Sequence, residues 1–460
     1  MNVVEALTGR AGIAGVRWLL TGAEPQLALR DALAALLPDP SLLGDLRLHR
    51  AKHKPGRHLT AYYEAAVRDP ASGARGIRHV EAVWLPQGAA DPRGAPQERE
   101  AMQEEARRRG LVAPFARLTA EVPTWGLWLR IAPLDPEYPQ LARLSDPAYV
   151  RDALAPVSAA GHAPVDAYSV SVVRYRPGQR HVLRYDPAGA PDGTGEGVLF
   201  AKVYNSDKGA HTAPVVRTVA DWLAAQGMEI RTVRPLAYLP EEQTVLYPWV
   251  AGTPLSQLLR TPGPAAETQV ALAGTALRAL HRTPLDLIAL KPHSLAKEIA
   301  SIASAAEHIH TLLPETGAQI ADILARAQRL HERLPQEPPG FAYGDYKADH
   351  LWVTPGALTL IDFDTCYLFD PAIDAGKFLA DLRWWYDTYG LVGVERAQAQ
   401  FLEAYGIAPE RLPRARLYEA LVLLKTTARR VKLFEPDWAG RTARLVAAVD
   451  DLLRTLEAPG

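Results

Sequence analysis

Residues 341–374 read FAYGDYKADHLWVTPGALTLIDFDTCYLFDPAID, and this stretch decides the fold. Two apolar runs, 351–353 and 358–361, flank a Pro-Gly turn, which predicts two strands joined by a tight hairpin. A short hairpin brings the residue before its first strand close to the residue that ends its second. We therefore expect Asp345 and Asp362 to face each other across a few ångströms. Two facing carboxylates are suited to a catalytic base and a metal ligand.

The residues around these two aspartates resemble the protein-kinase-like fold, in which a catalytic loop precedes a metal-binding strand. Residues 343–345 (Tyr-Gly-Asp) stand where that fold has His-Arg-Asp, Lys347 follows two positions later, and His350 occupies the place of its asparagine. Residues 361–364 (Ile-Asp-Phe-Asp) stand where that fold has Asp-Phe-Gly.

The small-molecule branch of this fold is the better match. With Asp-Pro-Ala-Ile-Asp at residues 370–374, the segment is similar to the aminoglycoside phosphotransferase family. Residues 365–369 are all that separate the two acidic elements, which leaves no room for the activation segment of a protein kinase. Protein substrates are therefore disfavoured.

The resemblance implies an ATP-dependent phosphotransferase with assigned roles for the matching residues. Asp345 accepts the proton of an acceptor hydroxyl or orients that hydroxyl, and Lys347 neutralises charge on the transferred group. Asp362 binds the Mg²⁺ that bridges the β- and γ-phosphates. His350 is a second metal ligand, and because an imidazole is a poor substitute for an oxygen ligand of Mg²⁺, Mn²⁺ is the alternative ion.

The nucleotide is expected to bind to an earlier part of the chain. Lys202 lies at the centre of a strand, VLFAKVY, and resembles the lysine that pairs with the α- and β-phosphates. The preceding hairpin turn carries one glycine, Gly178, with Arg180 or Arg176 as a further source of charge. Tyr247 and Trp249 lie in a segment that looks like the hinge whose backbone binds adenine. The helix after Lys202 contains no glutamate, so either Asp221 pairs with the lysine or the lysine is held differently.

The order of elements in this region repeats an earlier one. Residues 46–131 predict three strands, a helix and two strands, and residues 169–249 predict the same order. In the first copy, Glu81 stands where the second has Lys202, and a carboxylate cannot bind phosphate there. We interpret the first copy as a degenerate duplicate that packs on the kinase-like unit; the alternative is a chance likeness of two small sheets.

These patterns predict an α+β chain in three parts. Residues 1–150 form an α+β domain that resembles an N-lobe. Residues 151–252 form the kinase-like N-lobe, built on a small antiparallel sheet. Residues 253–460 form a mostly helical C-lobe that holds the catalytic loop and the metal strand, completing a two-lobed protein-kinase-like fold.

Composition restricts the classes of partner. The chain has 460 residues, 48% of them hydrophobic, and a formal net charge of −1, which does not favour nucleic-acid binding. A single cysteine, Cys366, suits a reducing compartment. No apolar run approaches the ~20 residues of a membrane span. We expect a cytoplasmic protein without a membrane or nucleic-acid partner, and the oligomeric state stays open.

Two functions fit these observations. The first is transfer of the γ-phosphoryl group of ATP to a hydroxyl of a small polar metabolite, a sugar or an aminoglycoside. The second is a catalytically silent kinase-like module that binds nucleotide or a partner protein. Three departures from the kinase pattern support it: His350, the absent glutamate and the single-glycine turn. The sequence does not name the acceptor: residues 384–386 (Trp-Trp-Tyr) could stack on a sugar, but such a cluster on a helix is more often core.

Overall fold

The computed structural model of the chain describes residues 2–86, 88–89, 94–158, 167–189 and 195–458. Its strands are β1 (Leu43–Lys54), β2 (His58–Arg68), β3 (Arg75–Trp84), β4 (Thr119–Val122), β5 (Leu127–Ile131), β6 (Tyr168–Arg176), β7 (Arg180–Pro187), β8 (Leu199–Val203), β9 (Ile230–Thr232), β10 (Ala237–Leu239), β11 (Thr244–Pro248), β12 (Thr253–Pro254), β13 (Gly340–Ala342), β14 (Leu351–Thr354), β15 (Ala357–Leu360) and β16 (Tyr367–Phe369).

The helices are α1 (Val3–Thr8), α2 (Gly12–Thr21), α3 (Ala23–Ala34), α4 (Pro96–Arg108), α5 (Leu141–Leu144), α6 (Pro147–Ser158), α7 (Lys208–Ala225), α8 (Leu255–Leu258), α9 (Pro264–Leu280), α10 (Leu295–Leu312), α11 (Pro314–Arg333), α12 (Ala372–Tyr389), α13 (Val394–Tyr405), α14 (Leu412–Arg430) and α15 (Trp438–Glu457). None of these helices is both long and apolar enough to cross a bilayer, in the part of the chain that the structure describes.

Two five-stranded sheets share one strand order. The first runs β1-β2-β3-β5-β4, and the second runs β6-β7-β8-β11-β10, which is the same order of first, second, third, fifth and fourth strand. A helix follows the third strand in each, α4 in the first and α7 in the second. This common topology supports the proposed duplication. Glu81, at the place of Lys202, pairs with the opposite residue Arg130 at 3.4 Å and is buried.

The core packing bears on where the second unit begins. Helix α6 runs across residue 150, the expected boundary. Apolar residues of α5 and α6, among them Leu141, Val150 and Leu154, share one buried cluster with strands of the second sheet. We therefore propose that the second unit includes the chain from about residue 132 onward, because its sheet is covered by helices that precede it.

The remaining elements form a mostly helical lobe around a small sheet. In this sheet β14 and β15 form the expected antiparallel hairpin, with Leu351 opposite Leu360. Helices α9 to α15 surround it, and the adjacent faces of α12 and α14 are buried almost throughout. The succession of an antiparallel sheet and a helical lobe confirms the α+β class that the sequence predicts.

Two local predictions were wrong. Helix α7 begins at Lys208 and carries Pro214 in its interior, whereas the sequence predicts a start at Pro214. The first turn of α7 is helical because Gly209 packs closely against Tyr238. A Cβ on Gly209 would lie 2.9 Å from the Tyr238 ring. The sequence also predicts one strand over residues 233–238, but the structure has β9 before this range and β10 at its end, since β9 pairs in parallel with β15 in the other lobe.

The first unit contacts both lobes of the rest of the chain. Lys54, at the end of β1, forms an ion pair with Glu307 of α10 at 3.0 Å. On the side of the second sheet, the His79 ring of β3 lies 3.2 Å from the carbonyl oxygen of Val172 on β6. Within the second unit, the fully buried Asp135 accepts hydrogen bonds from the backbone N–H of Gly178 at 2.8 Å and from the His181 ring at 2.7 Å. The turn between β6 and β7 is therefore anchored by a carboxylate that precedes the second sheet.

Candidate active site

The β14–β15 hairpin sets the positions of the two predicted carboxylates. Asp345 lies in the loop between β13 and β14, and Asp362 follows β15 directly. Asp362 adopts φ = 68°, in the left-handed region that is uncommon for residues other than glycine. Backbone strain of this kind, of order 1–3 kcal/mol, is found where a side chain must be aimed at a site.

Asp374, at the start of α12, fixes the backbone of the catalytic loop. Its two carboxylate oxygens accept the backbone N–H groups of Tyr343 and Gly344, each at 2.7 Å. Gly344 has φ = 79°, and a Cβ there would lie 2.4 Å from the carbonyl oxygen of Thr365. Glycine is therefore required at this turn, and the loop conformation that precedes Asp345 is fixed by a buried charge.

Asp345 is surrounded by positive charge. One carboxylate oxygen lies 2.6 Å from the Lys347 ammonium, and the other lies 3.0 Å from that of Lys377. Burial by itself raises the pKa of Asp345, but these cations, Lys377 first, outweigh burial and hold the pKa well below its usual range. The group is therefore ionised at neutral pH and is a weak proton acceptor that can still orient a hydroxyl.

His350 lies between the two aspartates. Its Nδ1 is 3.1 Å from the carbonyl oxygen of Asp345 and 3.6 Å from the carboxylate of the same residue, and its Nε2 is 3.5 Å from the carboxylate of Asp362. Burial, followed by the charge of Lys347, lowers the pKa of His350 to about 4. A neutral ring that donates from Nδ1 to the carbonyl therefore presents the lone pair of Nε2 towards Asp362.

Lys202 forms ion pairs with the aspartates that follow β15, not with a residue of helix α7. Its ammonium lies 2.7 Å from both Asp362 and Asp364. Asp221, the partner considered from the sequence, is exposed and pairs with Arg234 instead. Burial raises the pKa of Asp362, but Lys202, His350 and Arg180 together outweigh burial and keep this pKa well below its usual range. Lys202 is therefore held by aspartates of the other lobe and not by Asp221, which is the second of the two alternatives that the sequence leaves open.

The β6–β7 turn contributes one of its two predicted residues to the same charged group. The Arg180 guanidinium lies 3.2 Å from Asp362 and 2.9 Å from Asp364. The N–H of Gly178 is directed at Asp135, so the structure does not bring this glycine to the charged cluster.

These side chains line a cavity of about 490 Å³ between the second sheet and the helical lobe. Its wall includes most of the residues predicted for the site: Arg180, Lys202, Tyr247, Trp249, Lys347, His350 and Asp362. Gly178 and Asp345 are not among the lining residues. A larger cavity, of about 860 Å³, lies beside Trp18 and Trp125, but none of the predicted site residues lines it.

Several functional neighbours were not predicted from the sequence. Lys377 was missed because a lysine on a helix usually faces solvent, although it follows the acidic element 370–374 by one turn. The sequence assigns no role to Asp364, yet the side chain of this residue is fully buried against Lys202. The aromatic residues at 384–386 are largely core: Trp384 is 5% exposed and packs under Arg441 at 4.6 Å.

Residues 192–418 match the model of a family described as the phosphotransferase enzyme family. This part of the chain belongs to that family. The match includes Lys202, Asp345 and Asp362, and it leaves residues 1–191 outside. Together with the two-lobed architecture, it confirms the predicted family and protein-kinase-like fold.

Solved structures of the same fold are distant. A choline/ethanolamine kinase family protein from Mesorhizobium loti is 18% identical, with 60% of this chain and 88% of that chain covered and a TM-score of 0.43. Ethanolamine kinase from Plasmodium vivax is 11% identical (67% and 90% covered, TM-score 0.44), and a thermostable mutant of an aminoglycoside phosphotransferase is 17% identical (63% and 95%, TM-score 0.42). No protein with a curated description matches the chain.

The phosphotransferase family implies a divalent metal ion, and the residues present fit one. Magnesium in such sites takes one or two carboxylates together with substrate phosphates, and Asp362 and Asp364 supply two adjacent carboxylates. The Nε2 lone pair of His350 faces an oxygen of Asp362, so two electron donors point at each other. A cation shared between them would relieve that repulsion. No cluster of three or more metal-binding side chains occurs among the described residues.

Proposed function

We propose that the protein transfers the γ-phosphoryl group of ATP to a hydroxyl of a small polar molecule. The observation that carries this proposal is the arrangement of Asp345 and Asp362 on either side of His350, beside a cavity that also holds Lys202. Each of these residues lies within 3.6 Å of another member of the group.

The walls of the cavity suit a nucleotide. Apolar side chains such as Val182, Phe200 and Trp249 can cover an adenine ring, and the backbone near Tyr247 can bind its edge. Lys202 and Arg180 carry the charge that holds the phosphates. When bound at Asp362 and Asp364, Mg²⁺ or Mn²⁺ would supply charge neutralisation between the β- and γ-phosphates.

The acceptor hydroxyl is proposed to bind at the catalytic loop. Asp345 is ionised and can accept the hydrogen bond of this hydroxyl, directing its oxygen at the γ-phosphorus. Lys347, which contacts Asp345 and lines the cavity, can stabilise the charge on the transferred group. The proton leaves the hydroxyl for Asp345 or for solvent as the new phosphorus–oxygen bond forms. At the same time the bond between the γ-phosphorus and the oxygen that bridges it to the β-phosphate breaks, and ADP leaves.

A silent module remains the second candidate, and two contacts favour it. Asp362 is already paired with Lys202 and Arg180, and the N–H of Gly178 is already used by Asp135. Both groups would have to exchange these partners for a metal ion or a phosphate if the site is active.

The test of the proposal is a metal-dependent transfer assay on the full chain. We expect ATP to bind in the presence of Mg²⁺, measured by calorimetry, and labelled phosphate to pass to at least one member of a panel of sugars, amino alcohols and aminoglycosides. Nucleotide binding without transfer to any acceptor and without ATP hydrolysis would favour the silent module. Absence of nucleotide binding would contradict both candidates as nucleotide-binding proteins.

The substitution His350→Asn is expected to raise Mg²⁺-supported activity relative to Mn²⁺-supported activity by roughly tenfold, the scale of changes at a metal coordination shell. Asparagine offers the oxygen that Mg²⁺ prefers, while the neutral imidazole offers one nitrogen. The measurement is the ratio of kcat/KM with each ion. His350→Ala is the control, because it removes the ring without adding an oxygen. Identical ratios in all three proteins would show that position 350 contacts no metal.

A further inference from the structure

Three half-buried arginines lie close together near the catalytic loop. Arg50 lies on β1 of the first unit, and Arg174 and Arg176 lie on β6 of the second. The side chains of all three are half-buried, yet none of these side chains forms an ion pair or a hydrogen bond with any residue that the structure describes. The chain as a whole is almost neutral, with 51 Lys and Arg against 52 Asp and Glu, so their isolation does not follow from composition.

The positions of these arginines bring like charges together. Arg176 stands directly opposite Arg180 across the β6–β7 hairpin, a pairing that destabilises a sheet when nothing compensates it. Arg180 is neutralised by the two aspartates, whereas Arg176 is not. Burial, followed by the charges of Arg50 and Arg174, lowers the pKa of Arg176 to about 9.

The helical lobe adds more positive charge to the same place. Burial, together with the charges of Arg429, Arg174 and Arg430, lowers the pKa of Arg50. Arg430 is paired with Asp381 at 3.1 Å, but Arg429 is exposed and contacts only the hydroxyl of Ser301 among the described residues. Three separate parts of the chain thus converge on one cationic cluster.

This cluster reaches the edge of the catalytic cavity. Arg174 is part of the cavity wall together with Lys347, which contacts Asp345. Lys202 and Arg180, which the proposed function uses for the nucleotide, are already matched by carboxylates. Arg174 also lies near the carboxylates of Asp362, Asp364 and Asp345, which raise its pKa against the effect of burial. The cluster therefore extends from the catalytic loop, where the acceptor hydroxyl is proposed to bind, towards Arg176 and Arg50.

We propose that Arg50, Arg174 and Arg176 bind an anionic group of the acceptor, a carboxylate or a phosphate. This inference rests on the proposed phosphotransferase function and narrows its substrate to a hydroxyl compound that carries negative charge. Arginine suits the task, because its planar fork binds carboxylate and phosphate oxygens in pairs. A polycationic aminoglycoside or a quaternary amine would be repelled at this position.

The location of these residues in the sequence agrees with a role particular to this chain. All three lie outside residues 192–418, the part that matches the phosphotransferase family. Arg50 belongs to the first unit, which thereby contributes a side chain to the acceptor site. The first unit then has a role in choosing the acceptor, although Glu81 stands where a phosphate-binding lysine would be needed.

The test uses the full chain saturated with Mg²⁺ and a non-hydrolysable ATP analogue, so that the nucleotide phosphates are occupied. Inorganic phosphate and malonate are titrated separately by calorimetry, and the anion that binds identifies phosphate or carboxylate as the recognised group. We expect Arg176→Gln and Arg50→Gln each to weaken that binding roughly tenfold, as expected for loss of one charge-assisted hydrogen bond. Arg68→Gln, which removes an exposed charge from β2 of the first unit, is expected to leave it unchanged.

Two further readouts separate recognition from a structural role. The thermal midpoint of the free Arg176→Gln protein is expected not to fall, since the substitution removes repulsion; a clear fall would indicate a structural contact. In turnover assays with glucosamine, glucose, gluconate and glucose 6-phosphate, an anionic acceptor is expected to give the highest kcat/KM, and Arg176→Gln to raise its KM with kcat retained.

The outcomes distinguish this inference from the proposed function. Binding of neither anion, equal binding in the variants and the parent, or preferred turnover of glucosamine would overturn the anionic acceptor while leaving phosphotransfer intact. Arginine-dependent anion binding in a protein that transfers no phosphate would instead count against the proposed function.

Discussion

Replacement of Asp362 by asparagine is expected to lower kcat/KM for phosphoryl transfer by roughly 10²- to 10³-fold, the effect of losing one electrostatic group aimed at a transition state. The side chain keeps its shape but loses the charge that Lys202 and Arg180 share at 2.7 and 3.2 Å. Without this charge, Mg²⁺ loses a ligand, and the affinity for Mg²⁺–ATP should fall together with turnover. Calorimetry and steady-state kinetics measure the two effects.

The control for this variant is Asp186→Asn on β7. Asp186 also pairs with an arginine, Arg184 at 2.5 Å, but it does not line the cavity. Each variant removes a carboxylate that pairs with an arginine of β7, so a general loss of charge affects them alike. An Asp362→Asn protein that binds Mg²⁺–ATP as tightly as its parent would show that Asp362 is not the metal ligand.

The elements that could be predicted from the sequence are those decided by local pattern. The hairpin 351–360 is signalled by two apolar runs around Pro355-Gly356, and its register follows from the tight turn. The helices of the second half have regular apolar spacing, and the mostly helical character predicted for residues 253–460 agrees with the observed elements. The two small sheets were predicted in the right order because their turns carry Pro-Gly pairs.

What the sequence could not predict depends on contacts between distant residues. The partner of Lys202 lies 160 residues away, and no local pattern identifies Asp364 as a residue that shares the lysine with Asp362. Strand β9 is three residues long and pairs in parallel with β15 of the other lobe, so its own sequence carries little strand signal. Pro214 suggests a helix start, yet tertiary packing of the preceding turn outweighs that preference.

The site shows the same division between local and distant information. Asp345, Lys347 and Asp362 were proposed from the sequence because their spacing is itself a motif. Lys377 and Arg50 were not, because each has its meaning only when α12 and β1 are placed beside the catalytic loop. The first unit was interpreted from Glu81 as a packing domain, and the position of Arg50 now gives it a proposed part in binding.

The variant Asp345→Asn is expected to lower kcat by roughly 10²- to 10⁴-fold while leaving Mg²⁺–ATP affinity nearly unchanged, as for loss of a group that assists proton transfer. Asp345 lies beside the proposed acceptor position and contacts Lys347 and Lys377, not the residues proposed for the nucleotide. The amide keeps the size of the side chain but donates a hydrogen bond where the hydroxyl needs an acceptor. Single-turnover kinetics and calorimetry measure the two quantities separately.

The pH dependence of the parent enzyme tests how Asp345 acts. Because its pKa is held below the usual value near 3.9, the carboxylate stays ionised as pH falls from 8 to about 5. Protonation of Asp345 should therefore cause no decline of kcat in that window, and any acidic limb must come from another group. An acidic limb that disappears in Asp345→Asn would contradict the depressed pKa, and an unchanged kcat in this variant would remove the catalytic assignment. An equal loss of ATP affinity would mean that the uncompensated charges of Lys347 and Lys377 have rearranged the loop, which thermal unfolding of the variant would reveal.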